Sequence, residues 1–418
     1  MFWSAILMQF GWMQAVQAGA AANKITPSKP MYLAGHAPNR LSAGGVHDDL
    51  WARALVVQVD QERLAIVVCD LIGLLRDDVQ KIRQRVRTVP PSRVMVLCTH
   101  GHSAPDMIGL WGPTPLQSGR DAEYVNFVID TAARTIDEAA QALQPATIGF
   151  AKTKVEGVAY NHRIREILDT EATVMQLRSK ADGKAIATLM NFACHPLVLD
   201  NDQITADFCH WYYRVVESRV GGVALFANGA LGGPIWALPS ADSTAPQGRD
   251  WARAERYGTA LAQAALDALA NAVFTDTIRL EHLETTYSVK LENEGFQLAL
   301  AAGVIPAGAS LRGDALTTES HLIRLGNAIF FTIPGEAMAN VGILLKQLLA
   351  PYGDPVFLLG LANDELGYIM SEADYYLEIY EEERATSVSP AIGAAMVQSL
   401  REMLKRLAPR ERPASTPK

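Results

Sequence analysis

Positive charge is in short supply. The chain of 418 residues carries 37 Lys and Arg against 45 Asp and Glu, a formal net charge of −8. That balance argues against nucleic acid or an anionic membrane surface as the main partner. A basic run from Lys81 to Arg87 is diluted by acidic neighbours and reads as a solvated helix face. Cysteine is scarce too: Cys69, Cys98, Cys194 and Cys209 include no CxxC pair. Cys69 and Cys98 lie in apolar runs, where a thiol packs as a small hydrophobe, so no disulfide framework is expected. Between Met1 and Ala22 there is no Lys or Arg, and four Gln or Ser side chains interrupt the apolar run. A secretory leader normally starts with basic residues, and a spanning helix wants about 20 strongly apolar ones. The stretch therefore reads as a poor signal peptide or as an early start ahead of a first strand, and localisation stays open between export and cytoplasm. No membrane anchor is evident. Internal repeats and a HExxH helix are also missing, and the Pro-rich tail from Pro409 to Lys418 reads as disordered.

What is present alternates strand-like and helix-like stretches, the pattern of an α/β fold. Ala54–Asp60 and Leu64–Cys69 flank the polar Gln61-Glu-Arg63, a hairpin signal. A helix is predicted from Asp77 to Thr88, then a buried strand over Val94–Cys98. Asp121–Leu143 reads as a long amphipathic helix. Val174–Arg178 and Ala185–Met190 form a second hairpin around Ala181-Asp-Gly-Lys184. A strand over Gly222–Phe226 and a helix over Ala252–Ala270 follow. His321–Leu325 and Ala328–Ile333 meet at Gly326-Asn327, and two helices close the chain, roughly Glu336–Leu349 and Pro390–Leu407. The segment Pro234–Gly248, rich in Pro, Ser and Ala, reads as a loop over a site. No domain boundary is visible.

Three polar clusters stand just after apolar strands, where α/β folds place their chemistry. Thr99-His100-Gly101-His102-Ser103 follows Val94–Cys98, and in an extended segment residues two apart would face the same side. Asn191-Phe-Ala-Cys-His195-Pro196 follows the strand ending near Met190. Pro334-Gly-Glu336 follows Ala328–Ile333, with Gly335 free to turn and Glu336 placed to open a helix. Two imidazoles and a carboxylate suit catalytic zinc, which keeps an open position for water. Taken singly, each histidine also fits a satisfied structural role. A fourth cluster, Leu361–Ile369 with Tyr368, precedes Tyr375, Tyr376 and Tyr380, which read either as site tyrosines or as an aromatic packing patch.

These clusters resemble the neutral/alkaline ceramidase family over about residues 18 to 408. The matching pieces, in order, are Ala34-Gly-His36, Gly45–Ala54, Asp70-Leu-Ile-Gly73 and Thr99–Pro105. They continue through Asn191–Pro196, Thr205-Ala-Asp-Phe208, Leu225–Gly229, Ile333–Glu336, Leu361–Asp364 and Gly367-Tyr-Ile369. The resemblance implies mixed β-sheets packed together with helices outside. It also implies a Zn2+ held by His100, His195, Glu336 and Tyr368, with His102 beside it. Tyr380 falls where the family places a second active-site tyrosine. Asn161-His162-Arg163 resembles a family Asn-Arg segment, which selects Arg163, or His162 by the alternative alignment. The implied reaction is hydrolysis of an N-acyl amide. Two departures stand out. The family's serine position reads as Gly233 here. The chain also ends soon after its last predicted helix, so the β-sandwich that follows in longer members is not expected.

The resulting expectation is a zinc amidohydrolase in which residues 1–17 are a leader or disordered start, 18–408 the catalytic domain and 409–418 the tail. A metal-activated water attacks a small-molecule or lipid amide, ceramide-like or other, with His102, Tyr380 and Arg163 assisting. The competing reading is a non-catalytic, ligand-binding family member that has lost the serine. Oligomeric state is silent.

Overall fold

Several strands carry apolar residues on both faces, so their sheets must be covered twice. In the strand Trp51–Val59, Ala52, Ala54 and Val56 enter one core and Leu55, Val57 and Val59 another. Glu62–Cys69 and Val94–Cys98 split in the same way, because side chains on a pleated strand alternate between faces. In the small-sheet strand Ala328–Thr332, Ala328 and Phe330 face inward, and Ile329 and Phe331 face outward.

The computed structural model describes residues 13–35, 40–233, 235–239 and 250–409. Among them is a ten-stranded mixed sheet. Its main path runs Val94–Cys98, Glu62–Cys69, Trp51–Val59, Gln14–Lys24, Gln144–Lys154, Glu171–Ser179, Ala185–Phe192, Val223–Asn228. A five-stranded sheet packs against it along Leu280–Lys290, Ala315–Leu325, Ala328–Thr332 and Val356–Leu359. The rings of Phe330 and Phe357 stack between the sheets at 4.2 Å. Helices Arg76–Arg85, Ala122–Gln141, Phe208–Val220 and Trp251–Leu269 cover the outer face of the large sheet. Ala339–Leu349 and Ile392–Leu404 cover that of the small one. The result is four layers, helices outside and two mixed sheets within.

The expected hairpins are all present, at Val59/Glu62, at the turn before Ala185 and at Leu325/Ala328. The helix expected over Asp77–Thr88 is shorter, Arg76–Arg85, because the chain turns extended at Val86. The first strand begins at Gln14, inside the stretch read as a leader or disordered start. Residues 1–12, His36, most of the Pro234–Gly248 loop and residues 410–418 lie outside the described residues. All four cysteines are buried and free. Among the described residues no helix is long and apolar enough to cross a membrane.

Buried Asn191 ties the two sheets together. Its amide donates to the Leu358 carbonyl at 2.8 Å, and its oxygen accepts from the Leu358 amide at 3.0 Å. This tie stands beside the exits of the strands that end at Cys98, Phe192 and Thr332, each of which leads into one of the polar clusters.

Candidate active site

The first histidine loop is not extended. His100 adopts the left-handed conformation, φ 68°. That turn lets its amide donate to the Leu71 carbonyl at 2.9 Å, while Thr99 N donates to Cys69 O at 3.0 Å. A non-glycine residue held there is strained, and such strain gathers at functional sites. His102 nevertheless reaches the same volume from the turn that follows, with ring centroids 4.7 Å from His100. Its Nδ1 meets the Gly35 carbonyl at 3.1 Å. Gly35 has φ 78°, and a Cβ there would fall 2.1 Å from that Nδ1, so the position needs glycine. His195 enters from the end of Ala185–Phe192, its centroid 4.8 Å from that of His100.

Glu336 does not open a helix as expected. Glu336-Ala337 pairs in parallel with Tyr368-Ile369, and the helix begins only at Ala339. The amide of Glu336 donates to Gly367 O at 2.9 Å, and that of Met338 to Ile369 O at 3.1 Å. Strand pairing thus captures these residues before helix can form, and it sets Glu336 directly beside Tyr368.

The polar atoms face each other in a way that calls for a cation. Nδ1 of His100 meets Ile72 O at 2.8 Å, and Nδ1 of His195 meets Ile235 O at 2.7 Å. A carbonyl only accepts, so Nδ1 carries the proton and Nε2 the lone pair in each neutral ring. Those Nε2 atoms lie 3.4 and 3.1 Å from Glu336 Oε2. Burial pushes His100 down to about 4, against the pull of Glu336. Neutral imidazole lone pairs aimed at a carboxylate repel unless a cation sits between them. His100, His102 and His195 each offer a nitrogen, all within 4.8 Å of one another. The donor set suits a divalent ion of the zinc class.

Residues 17–224, about half the chain, match the family model for the N-terminal part of neutral/alkaline non-lysosomal ceramidase. The chain belongs to this family. Two solved structures share the fold of this ceramidase-family chain. One is neutral ceramidase from Pseudomonas aeruginosa, with TM-score 0.78, 18% identity, and coverage of 97% of this chain and 77% of that one. The other, a ceramidase complexed with C2, has TM-score 0.75 at the same identity and coverage. No curated protein matches in sequence.

The ceramidase-family site has a second wall that sequence reasoning only partly found. Arg163 donates to Glu383 at 3.0 Å and also pairs with Glu382. Glu383 is almost fully buried. Gly233 sits against it: at φ 52°, a Cβ on Gly233 would fall 2.4 Å from Glu383 Cγ. The position read as the family's serine is therefore filled from the other side by a carboxylate. Burial, then Glu336, then Glu383, push the Tyr368 hydroxyl well above its ordinary value. Burial raises Tyr380 as well, with Asp374 and Glu383 adding to it. Tyr380 packs in the outer core of the small sheet, while the His162 ring lies tilted against Trp236, centroids 4.6 Å apart.

The Leu361–Ile369 cluster also sets two acids behind Glu336, Asp364 and Glu365, to which sequence reasoning gave no role. Burial and the Glu336 charge push Glu365 well above the ordinary carboxylate range. Asp364 is buried and accepts from Arg76 N at 3.0 Å, Glu365 N at 2.9 Å and Thr318 Oγ1 at 2.8 Å. Burial outweighs these bonds and raises it to about 7. The folded chain then holds a proton that the unfolded chain releases at about 3.9. Its contribution to stability is full below the unfolded pKa, falls as pH rises toward 7, and is level above. Asp364→Asn is expected to flatten the fall in melting temperature between about pH 4 and 7. An unchanged slope in thermal scans across that window would rule Asp364 out as its source.

Proposed function

We propose that this family member hydrolyses N-acyl amide bonds, ceramide-like or other, with zinc as its cofactor. The observation that carries the reading is the pair of imidazole lone pairs facing Glu336 Oε2. His100, His195 and Glu336, with Tyr368 beside them, would hold the ion. When bound, zinc polarises a substrate carbonyl and lowers the pKa of water to about 7. The solved relatives are named as ceramidases, one of them complexed with C2, which favours a lipid amide among the substrates to try first.

The chain's own groups supply the rest. Nδ1 of His102 faces the Gly35 carbonyl, which places the ring's lone pair on Nε2, the atom that would take a proton from the attacking water and return it to the departing amine. Tyr380 keeps its proton at neutral pH, because burial and nearby carboxylates disfavour the phenolate. It can donate to the oxygen on which charge develops. Arg163 is half of an ion pair, so part of its charge is already neutralised by Glu382 and Glu383. We assign Arg163 the task of orienting Glu383, and Glu383 that of positioning the polar end of the substrate.

The assignment of Glu383 has its own test. Glu383→Ala is expected to lower kcat about 10–100-fold with metal content unchanged. Gly233→Ser alone should do at least as much harm, since the new Cβ collides with Glu383. The double variant Gly233→Ser/Glu383→Ala removes the collision but not the loss of the carboxylate. If Glu383→Ala turns over at the wild-type rate, the residue has no part in the reaction.

The experiment for the whole reading is to assay purified, zinc-loaded protein on detergent-solubilised ceramide and a panel of N-acyl amides, before and after chelation. Turnover lost on chelation and restored by zinc supports it. A protein that holds zinc yet cleaves nothing in the panel moves the non-catalytic, ligand-binding alternative ahead.

A further inference from the structure

A second cluster of histidines lies at the edge of the small sheet and shares no residue with the site above. Leu280–Lys290 and Ala315–Leu325 pair antiparallel, with Glu284 opposite His321, His282 opposite Ile323 and Thr286 opposite Glu319. Side chains two apart share a face, so His282, Glu284, Glu319 and His321 converge. Nε2 of His282 lies 2.8 Å from Nδ1 of His321, and Oε2 of Glu284 lies 3.9 Å from that same Nδ1. His282, Glu284 and His321 offer ligand atoms all within 4.8 Å of one another.

The protonation pattern is set from behind. Nε2 of His321 meets Glu319 Oε1 at 3.0 Å. Burial works against the charge on Glu319, but His321 and Arg83 outweigh it and hold the carboxyl at about 2. The carboxylate can only accept, so His321 protonates Nε2 and turns the Nδ1 lone pair toward His282 and Glu284. Burial pushes His282 down to about 3, which keeps it neutral. A carboxylate that fixes the far nitrogen of an imidazole is the usual support for a metal-ligating histidine. Glu319 also pairs with Arg76 and Arg83, which offsets their repulsion of a cation. A cavity lined by Gln80, Pro91, Ser92, Glu284, Glu319 and His321 opens onto the cluster and leaves room for water ligands.

We propose that His282, His321 and Glu284 form a second, structural site for a divalent cation of the zinc class, pinning the edge strand Leu280–Lys290 to its neighbour. The competing arrangement is a plain relay, in which His282 Nε2–H donates to His321 Nδ1. The two predict different metal stoichiometries.

The test is zinc per chain, by plasma mass spectrometry, on full-length protein dialysed against zinc and then against zinc-free buffer. Wild type should hold about two ions, and Glu336→Gln and His282→Ala about one each. The double variant should hold none. Circular dichroism checks that each variant is folded. Cobalt added to Glu336→Gln should give visible bands of a nitrogen and oxygen site, lost in the double variant. Hydrolysis by His282→Ala should be unchanged. If folded Glu336→Gln takes up no zinc or cobalt, the second site does not exist and the relay stands. That outcome leaves the first site untouched. One ion lost in His282→Ala but kept in Glu336→Gln would establish the second site and sink the first.

Discussion

Glu336→Gln is expected to fold, to lose the ion of the first site, and to hydrolyse amides at least ~10^3-fold more slowly than wild type. Among the described residues, the carboxylate is the negative group that meets both His100 Nε2 and His195 Nε2, at 3.4 and 3.1 Å. Glutamine keeps the shape but offers a neutral oxygen or an amide proton to a cation. Loss of several kcal/mol of charge stabilisation corresponds to about three orders of magnitude in rate. The backbone needs no carboxylate here, since the segment is held by hydrogen bonds donated from Glu336 N to Gly367 O and from Met338 N to Ile369 O. In the apo protein the exchange removes a buried acceptor facing two lone pairs, so Glu336→Gln without metal should be no less stable than wild type without metal. Chelator should therefore lower the melting temperature of wild type more than that of the variant. Equal turnover by a folded, metal-free Glu336→Gln would end the metal reading.

Much of the framework was legible because it rests on local chemistry. Turn residues at Asp182-Gly183 and Gly326-Asn327 announced their hairpins, and the strand exits led to His100, His195 and Glu336. Two expectations of local geometry failed for the same physical cause. His100 was read as extended and Glu336 as opening a helix, yet each takes the conformation its partner backbone requires, Leu71 in one case and Gly367 in the other. Those partners are remote in sequence, and local propensity yields to them. Arg163 was singled out without its partner Glu383, which lies 220 positions away. The His282 and His321 pair left no motif, because only the register between their strands brings them together. The apolar runs told of burial on both faces but not that the second covering would be another sheet.

Asn228→Leu should be the most damaging change outside the ligands, because this one side chain clamps both histidine loops. Asn228 is fully buried at the end of Val223–Asn228. Its amide donates to Thr99 O and Cys194 O, both at 2.9 Å. Its oxygen accepts from Cys194 N at 3.0 Å and Gly229 N at 3.1 Å. Thr99 and Cys194 immediately precede His100 and His195. Leucine would leave several buried backbone groups unmatched at about 1–3 kcal/mol each, part of it recovered by relaxation. A net loss of ~3–5 kcal/mol is expected, read from denaturant midpoints. The loops would also lose their fixed spacing, and zinc affinity should fall about 10–100-fold, as when other supports of ligand residues are removed. Asn228→Asp separates the two effects. It nearly keeps the volume and keeps the acceptor, but sets a carboxylate oxygen against two carbonyls, so both loops should be pushed apart at neutral pH. A wild-type midpoint together with wild-type zinc affinity in Asn228→Leu would show that the loops hold their imidazoles without this clamp. The strained His100 turn would then be kept in place by the backbone bonds of Thr99 to Cys69 and of His100 to Leu71, together with the bond between the His100 ring and the Ile72 carbonyl.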